Sequence, residues 1–187
     1  YVRGHRWDYD HWSKLGNSGW SYDEVLPYFK KAEHNELVDD DFHGQNGPLN
    51  VTAVENKSKY KDYFIKAGTK FYKENQDFNG AEQEGIGYYH TTQKQGRRWS
   101  AAAAYLTPNL DRPNLTVLTD TQVDRIIFEG NKATGVDCFD EQKNKIHLKC
   151  RREVIISSGA FGSPQILMRS GIGPTEELNR HGIDTIF

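Results

Sequence analysis

Side chains able to do chemistry in this 187-residue chain include a few histidine groupings, the arginine pair Arg97-Arg98 and a glycine-rich corner. His5, Asp8 and His11 stand three apart, and on a helix neighbouring members would share a face as metal ligands. The plainer reading of that stretch is a polar helix beside Trp7 and Trp12. His43, ahead of Gly44, reads as a loop histidine. His90 falls in a stretch with strand character, where it would face a substrate or simply pack. Arg97 and Arg98 precede a helix start at Ser100 and would serve as a phosphate clamp or as an ion-paired structural element. Trp7, Trp12, Trp20 and Trp99 read as packing anchors, because no basic stripe accompanies them as a base-stacking platform requires.

The segment Glu153-Val-Ile-Ile-Ser-Ser-Gly-Ala-Phe-Gly-Ser-Pro164 is the richest. Its unalternating apolar run ending in small residues is how a strand buried on both faces reads. Gly159 and Ala160 leave room for a ligand at the strand end, while Ser163 and Pro164 read as an N-cap and a first-turn proline. Strand, small-residue turn and helix N-terminus form an anion- or nucleotide-binding corner of an α/β sheet, although packing alone would use the same residues. The helix from Pro164 should stop at Ser170-Gly171-Ile172-Gly173-Pro174, and another should run from Thr175 to His181-Gly182.

Other elements must hold this corner. Ser21 and Glu24 form a capping box that opens a helix over Tyr22 to His34, with Leu26, Phe29 and Ala32 inward and Lys30, Lys31 and Glu33 in water. Asp39 to Gly47 reads as a surface loop and Pro48 to Thr52 as a short strand. A helix over Lys59 to Lys73 should bury the stripe Tyr60, Phe64, Ala67, Gly68 and Phe71. Gly85 to Thr92 reads as a strand, and Ser100 caps an alanine-rich helix to Leu106. Leu115 to Thr119, Gln122 to Glu129, Ala133 to Phe139 and Ile146 to Cys150 read as an antiparallel meander. The fold class is thus mixed, α+β with an α/β element: a helical N-terminal part, a meander and one buried strand-turn-helix.

Composition excludes several functions. A formal net charge of -2 gives no broad basic surface for nucleic acid. No apolar run approaches the roughly 18 to 20 residues of a membrane span, which leaves a cytoplasmic or peripheral-membrane setting. Charged residues make up 27% of the chain and mean hydropathy is low at -0.81, so some apolar partners are expected to lie elsewhere. The start at Tyr1 and the single Met168 place the natural start upstream. Cys138 and Cys150 read as buried structural thiols rather than a disulfide framework. Asn50-Val-Thr, Asn56-Lys-Ser and Asn114-Leu-Thr match the glycosylation pattern, which has meaning only in a secretory setting.

Gly159-Ala-Phe-Gly-Ser-Pro-Gln-Ile-Leu-Met-Arg-Ser-Gly-Ile-Gly-Pro174 resembles the second signature of the glucose-methanol-choline (GMC) oxidoreductases. The likeness continues through Tyr1-Val-Arg-Gly, Asp8-Tyr-Asp-His-Trp12, Gly19-Trp-Ser-Tyr, Leu26-Pro-Tyr-Phe, Phe42-His-Gly, Gly96-Arg-Arg-Trp-Ser100, Tyr105-Leu and Arg112-Pro-Asn-Leu115. Its flavour is that of the choline-dehydrogenase-like branch. The resemblance implies FAD in a Rossmann-like domain, with the backbone of Val123 meeting adenine and Gly159 and Ala160 approaching the adenosine portion. It also implies three regions: 1–46 adjoining the FAD domain, 47–95 belonging to the substrate domain and 96–187 to the FAD domain.

The implied parent enzyme oxidises a primary alcohol to an aldehyde by hydride transfer to flavin. Its electron acceptor is open, and a lyase keeping the flavin fold is the alternative. Neither the pyrophosphate loop Gly-x-Gly-x-x-Gly nor the family's catalytic histidine motif occurs here, so no catalytic residue and no metal ligand is assigned. The isolated chain is expected to be inactive and to act as a structural module. Apolar surface left bare by its lone buried strand would accept a second copy.

Overall fold

The computed structural model describes residues 1–54 and 58–186, in two compact units, Tyr1–Leu115 and Thr116–Phe187. The glycosylation match at Asn56 lies outside the described residues. In the first unit, α1 (Arg6–Lys14) is opened by His5, whose Nδ1 accepts from the Trp7 N–H while its own N–H donates to Asp8. His11 stacks flat on Trp7 at 4.8 Å. The His5, Asp8 and His11 side chains are therefore spent on capping and stacking rather than converging on an ion.

Ser21 and Glu24 form the expected capping box of α2 (Tyr22–Ala32), with the Glu24 carboxylate accepting from both the N–H and the hydroxyl of Ser21. The helix stops earlier than its periodicity suggests. At Glu33 the chain turns extended (φ -90°, ψ 139°) and enters β1 (Glu33–Asn35), which pairs in parallel with β2 (Leu49–Val51). Glu33, expected in water, is fully buried, because Arg3 and the following loop close over it. That loop is no loose excursion. The Gly44 carbonyl accepts from Asn35 N–H and the Gly47 N–H donates to the Glu33 carbonyl, each at 2.8 Å. A Cβ on Gly44 would stand 1.8 Å from the Lys30 carbonyl oxygen, so only glycine allows the loop this close to α2.

The third helix, α3 (Lys59–Gly68), ends a turn short of the expected Lys73. Its aromatic stripe is not buried: Tyr60, Phe64 and Phe71 are 71%, 72% and 82% exposed. Periodicity identifies the face that seeks cover, and none of the described residues supplies it. Gly85 to Thr92 forms no strand and pairs only through isolated bridges at Ile86 and Thr91. The hairpin of β3 (Gln93–Lys94) and β4 (Arg97–Arg98) follows, with Arg97 and Arg98 exposed and, among the described residues, without an ion pair. Ser100 does open a helical stretch, its hydroxyl accepting from Ala103 N–H, but Ala102–Leu106 is wound as a π-helix and Thr107–Asn109 as a 3₁₀ turn. Asn50 is buried, which removes it as a glycan acceptor.

The second unit begins with exposed residues outside any regular element, so the expected strand over Leu115 to Thr119 does not form among the described residues. The meander itself forms: β5 (Gln122–Glu129), β6 (Lys132–Phe139) and β7 (Lys145–Lys149) pair antiparallel in that order. Cys138 is buried on β6, Cys150 is half-buried, and both are free thiols, with the Cys150 thiol donating to the Ala133 carbonyl.

Beside them Asp137, also buried, accepts from Lys145 at 2.8 Å, His147 at 3.1 Å and Arg125 at 3.4 Å. Lys145 first, then His147, hold its carboxyl down to about 2, against an ordinary 3.8. A carboxyl depressed in the folded state stabilises it above the ordinary value and loses that contribution as pH falls through the folded one. Urea unfolding followed from pH 5 to pH 2 should show stability falling below about pH 4, and Asp137→Asn should flatten that slope. Gly44→Ala should cost roughly 1–3 kcal/mol in the same measurement at pH 7.

Candidate functional site

The corner expected over residues 153–164 is present in its second half only. Val154 to Ser158 belong to none of the described strands, and Ile155 is 78% exposed. A strand buried on both faces takes its cover and its hydrogen bonds from neighbours on each side, and none of the described strands lies there. The helix after the turn, α4 (Gly159–Arg169), starts earlier than expected. Ser158 rather than Ser163 is its N-cap, Pro164 sits inside it, and the Ser163 hydroxyl accepts from the Ser158 N–H at 3.0 Å.

Gly159 takes a positive φ of 81°, a conformation that favours glycine, and a Cβ added there would meet nothing within 4 Å. Ala160 and Phe161 beside it are exposed. The helix terminates as foreseen. Ser170 caps it, Gly171 turns at φ 86°, and α5 (Thr175–Arg180) follows.

The far end of α4 is clamped to β5. The Ser170 hydroxyl accepts from Ile126 N–H at 2.8 Å, and Arg169 binds both the carbonyl and the carboxylate of Asp124. Val123, next to that clamp on β5, pairs with Cys138 and is partly exposed. Val123 thus lies near the C-terminal end of α4, whereas Gly159 and Ala160 lie at its N-terminal end, a helix rise of about 15 Å away. No direct contact joins the two groups. An extended ligand, rather than a compact one, would be needed to touch both.

The first unit holds two further polar sites. A cleft of about 610 Å³ is lined by Val38, Ile65, Gln76, Tyr88, Tyr89 and His90 among others. Tyr88 donates to Asp62 at 2.5 Å, and that hydrogen bond pushes the phenol up to about 12. Burial lowers the His90 pKa. His43 lies in a loop, as read from sequence, and is buried there, its Nδ1 2.7 Å from Asp40 and its Nε2 3.5 Å from Asp77. Burial pushes the imidazole down, but the nearness of Asp77 and Asp40 outweighs it and raises the pKa. Asp77, supplied from a turn more than thirty residues on, carries no signal that sequence reasoning could have attached to His43.

Arg3 anchors this side of the molecule. Its guanidinium meets the Glu33 carboxylate in full burial and donates to the Phe42 carbonyl at 2.7 Å, while its backbone N–H donates to Asn79.

A sequence profile described as GMC oxidoreductase matches residues 1–183. The chain belongs to the GMC oxidoreductase family. Its curated relatives include the oxygen-dependent choline dehydrogenases of Brucella anthropi, 42% identical over 187 residues, and of Sinorhizobium fredii, 44% identical over 186. Mouse mitochondrial choline dehydrogenase is 42% identical over 188 residues. These alignments cover 98% to 100% of this chain but only 31% to 34% of the relatives, so the chain spans about a third of their length.

Among solved structures, pyridoxine 4-oxidase from Mesorbium loti superposes with a TM-score of 0.91 at 33% identity, over 99% of this chain and 37% of that one. An FAD-dependent oxidoreductase from Chaetomium thermophilum does so with 0.91 at 27%, over 99% of this chain and 34% of its own. The mixed helical and small-sheet architecture is accordingly that of GMC oxidoreductases. Replacing Glu33 with Ala should leave the buried Arg3 charge unpaired and cost about 3–5 kcal/mol, read as a drop in the urea midpoint of the first unit. Arg3→Met with Glu33→Leu should recover most of it.

Proposed function

We propose that this chain is the portion of an FAD-dependent alcohol oxidoreductase that holds the adenosine end of the cofactor. FAD is the cofactor of the family, and when bound it would accept a hydride from the alcohol carbon. The open turn at Gly159 carries this reading. Its backbone is bare where a side chain would otherwise stand, and the exposed Ala160 extends the same small-residue floor. In the parent, Gly159 and Ala160 approach the adenosine portion while the Val123 backbone meets adenine. The chemistry at the alcohol, including removal of the hydroxyl proton, belongs to residues of the parent beyond these contacts.

The substrate in this reading is a primary alcohol of choline type, oxidised to the aldehyde. The supporting observation is identity of 42% to 44% to relatives named choline dehydrogenases. Among the described residues no helix is long and apolar enough to cross a membrane. Two thiols left unbridged suit a reducing cytoplasm.

The test is anaerobic mixing of the whole parent protein with choline and a panel of primary alcohols. Bleaching of the flavin band by at least one of them is expected, and failure of every alcohol to bleach it would sink the redox reading. Gly159→Val in the parent should reduce flavin content of the purified protein several-fold while leaving its circular dichroism unchanged. The 187-residue chain alone should purify colourless and without alcohol oxidation; a yellow preparation that keeps its flavin through gel filtration would contradict this.

A further inference from the structure

His43 is a buried imidazole with one nitrogen satisfied and the other not. Its side chain is 0% exposed, its Nδ1 lies 2.7 Å from the Asp40 carboxylate, and its Nε2 is buried without a hydrogen-bond partner among the described residues. The group facing Nε2 is Asp77 Oδ2, at 3.5 Å. That separation is long for a hydrogen bond between an imidazole and a carboxylate, whose usual range ends near 3.2 Å. It matches the edge of a tetrahedron, about 3.4 Å, whose centre lies 2.0 to 2.2 Å from an imidazole nitrogen and a carboxylate oxygen.

The surroundings keep both ligands in place. Asp77 uses its other oxygen to accept from Asn79 N–H at 2.9 Å, and its own N–H donates to Asn75, so Oδ2 remains turned toward the imidazole. A Cβ on Gly80 would stand 2.5 Å from that Oδ2, so the turn clears space beside it. Asp40 Oδ1 also accepts from Phe42 N–H at 2.8 Å, which fixes the loop that carries His43. Ligand atoms of Asp40, His43 and Asp77 all lie within 4.8 Å of one another.

We propose that His43 Nε2 and Asp77 Oδ2 hold a divalent transition-metal ion of zinc type. Asp40 stands behind the imidazole as the carboxylate that fixes its tautomer, an outer partner that metal-bound histidines regularly have. The Asp77 and Asp40 side chains are 20% and 40% exposed, so water reaches the remaining coordination positions from that side. An imidazole nitrogen selects zinc, copper or nickel over magnesium and calcium. Arg3, whose charge would oppose a cation, is neutralised by Glu33.

The test is calorimetric titration of zinc into the chelator-treated full chain, with magnesium as comparison. One saturable equivalent of zinc is expected, undisturbed by millimolar magnesium. His43→Gln and Asp77→Asn should abolish it, and Asp40→Asn should weaken it about 10–100-fold. Circular dichroism shows which variants remain folded. Should they unfold, zinc-edge anomalous diffraction from soaked crystals of the unmodified chain decides, with a peak expected between His43 Nε2 and Asp77 Oδ2. No saturable uptake, uptake unchanged in folded His43→Gln and Asp77→Asn, or a peak only elsewhere, such as at Cys138 or Cys150, overturns the assignment.

Discussion

The buried pairing of Arg3 with Glu33 is the contact on which the first unit depends. Two opposite charges removed from water are tolerable only when every remaining donor and acceptor is met. Here they are met: Arg3 also donates to the Phe42 carbonyl, and the second Glu33 oxygen accepts from Asn35. Satisfying this pair draws together the N-terminal segment, the end of α2, the Phe42-His43-Gly44 loop and the Asn79 turn. At Glu33 α2 gives way to β1, so the pair sits at the junction of helix and strand.

In the second unit a smaller device does comparable work. Ser170 both caps α4 and binds β5, its hydroxyl accepting from Ile126 while donating back to Ile166 at 2.5 Å. One side chain therefore ends the helix and sets its position on the sheet. The Asp124 to Arg169 pair reinforces the clamp from the same end. The opposite end of α4, with Gly159 and Ala160, is left open, which is where the flavin reading places the cofactor.

The apolar surfaces follow a consistent pattern. Tyr60, Phe64 and Phe71 on or just past α3, and Ile155 in the run before α4, all have the sequence character of buried positions and all stand exposed. Their periodicity was legible because it is a property of single elements. What covers a face is a property of other elements, and relatives three times as long place most of their chain outside this third.

Short-range chemistry made the rest readable. The Ser21 and Glu24 box, the last three strands of the expected meander with their turns, and the stop at Ser170-Gly171 all depend on residues within a few positions of each other, so the sequence alone determines them. The family, and with it the flavin fold, was legible in the run from Gly159 to Pro174. Tertiary structure alone decided that Glu33 is buried, that His43 faces Asp77, and that the Val154 to Ser158 run lacks a sheet. Each of these turns on a partner dozens of residues distant or on one that the described residues do not supply, and no local pattern records such a partner.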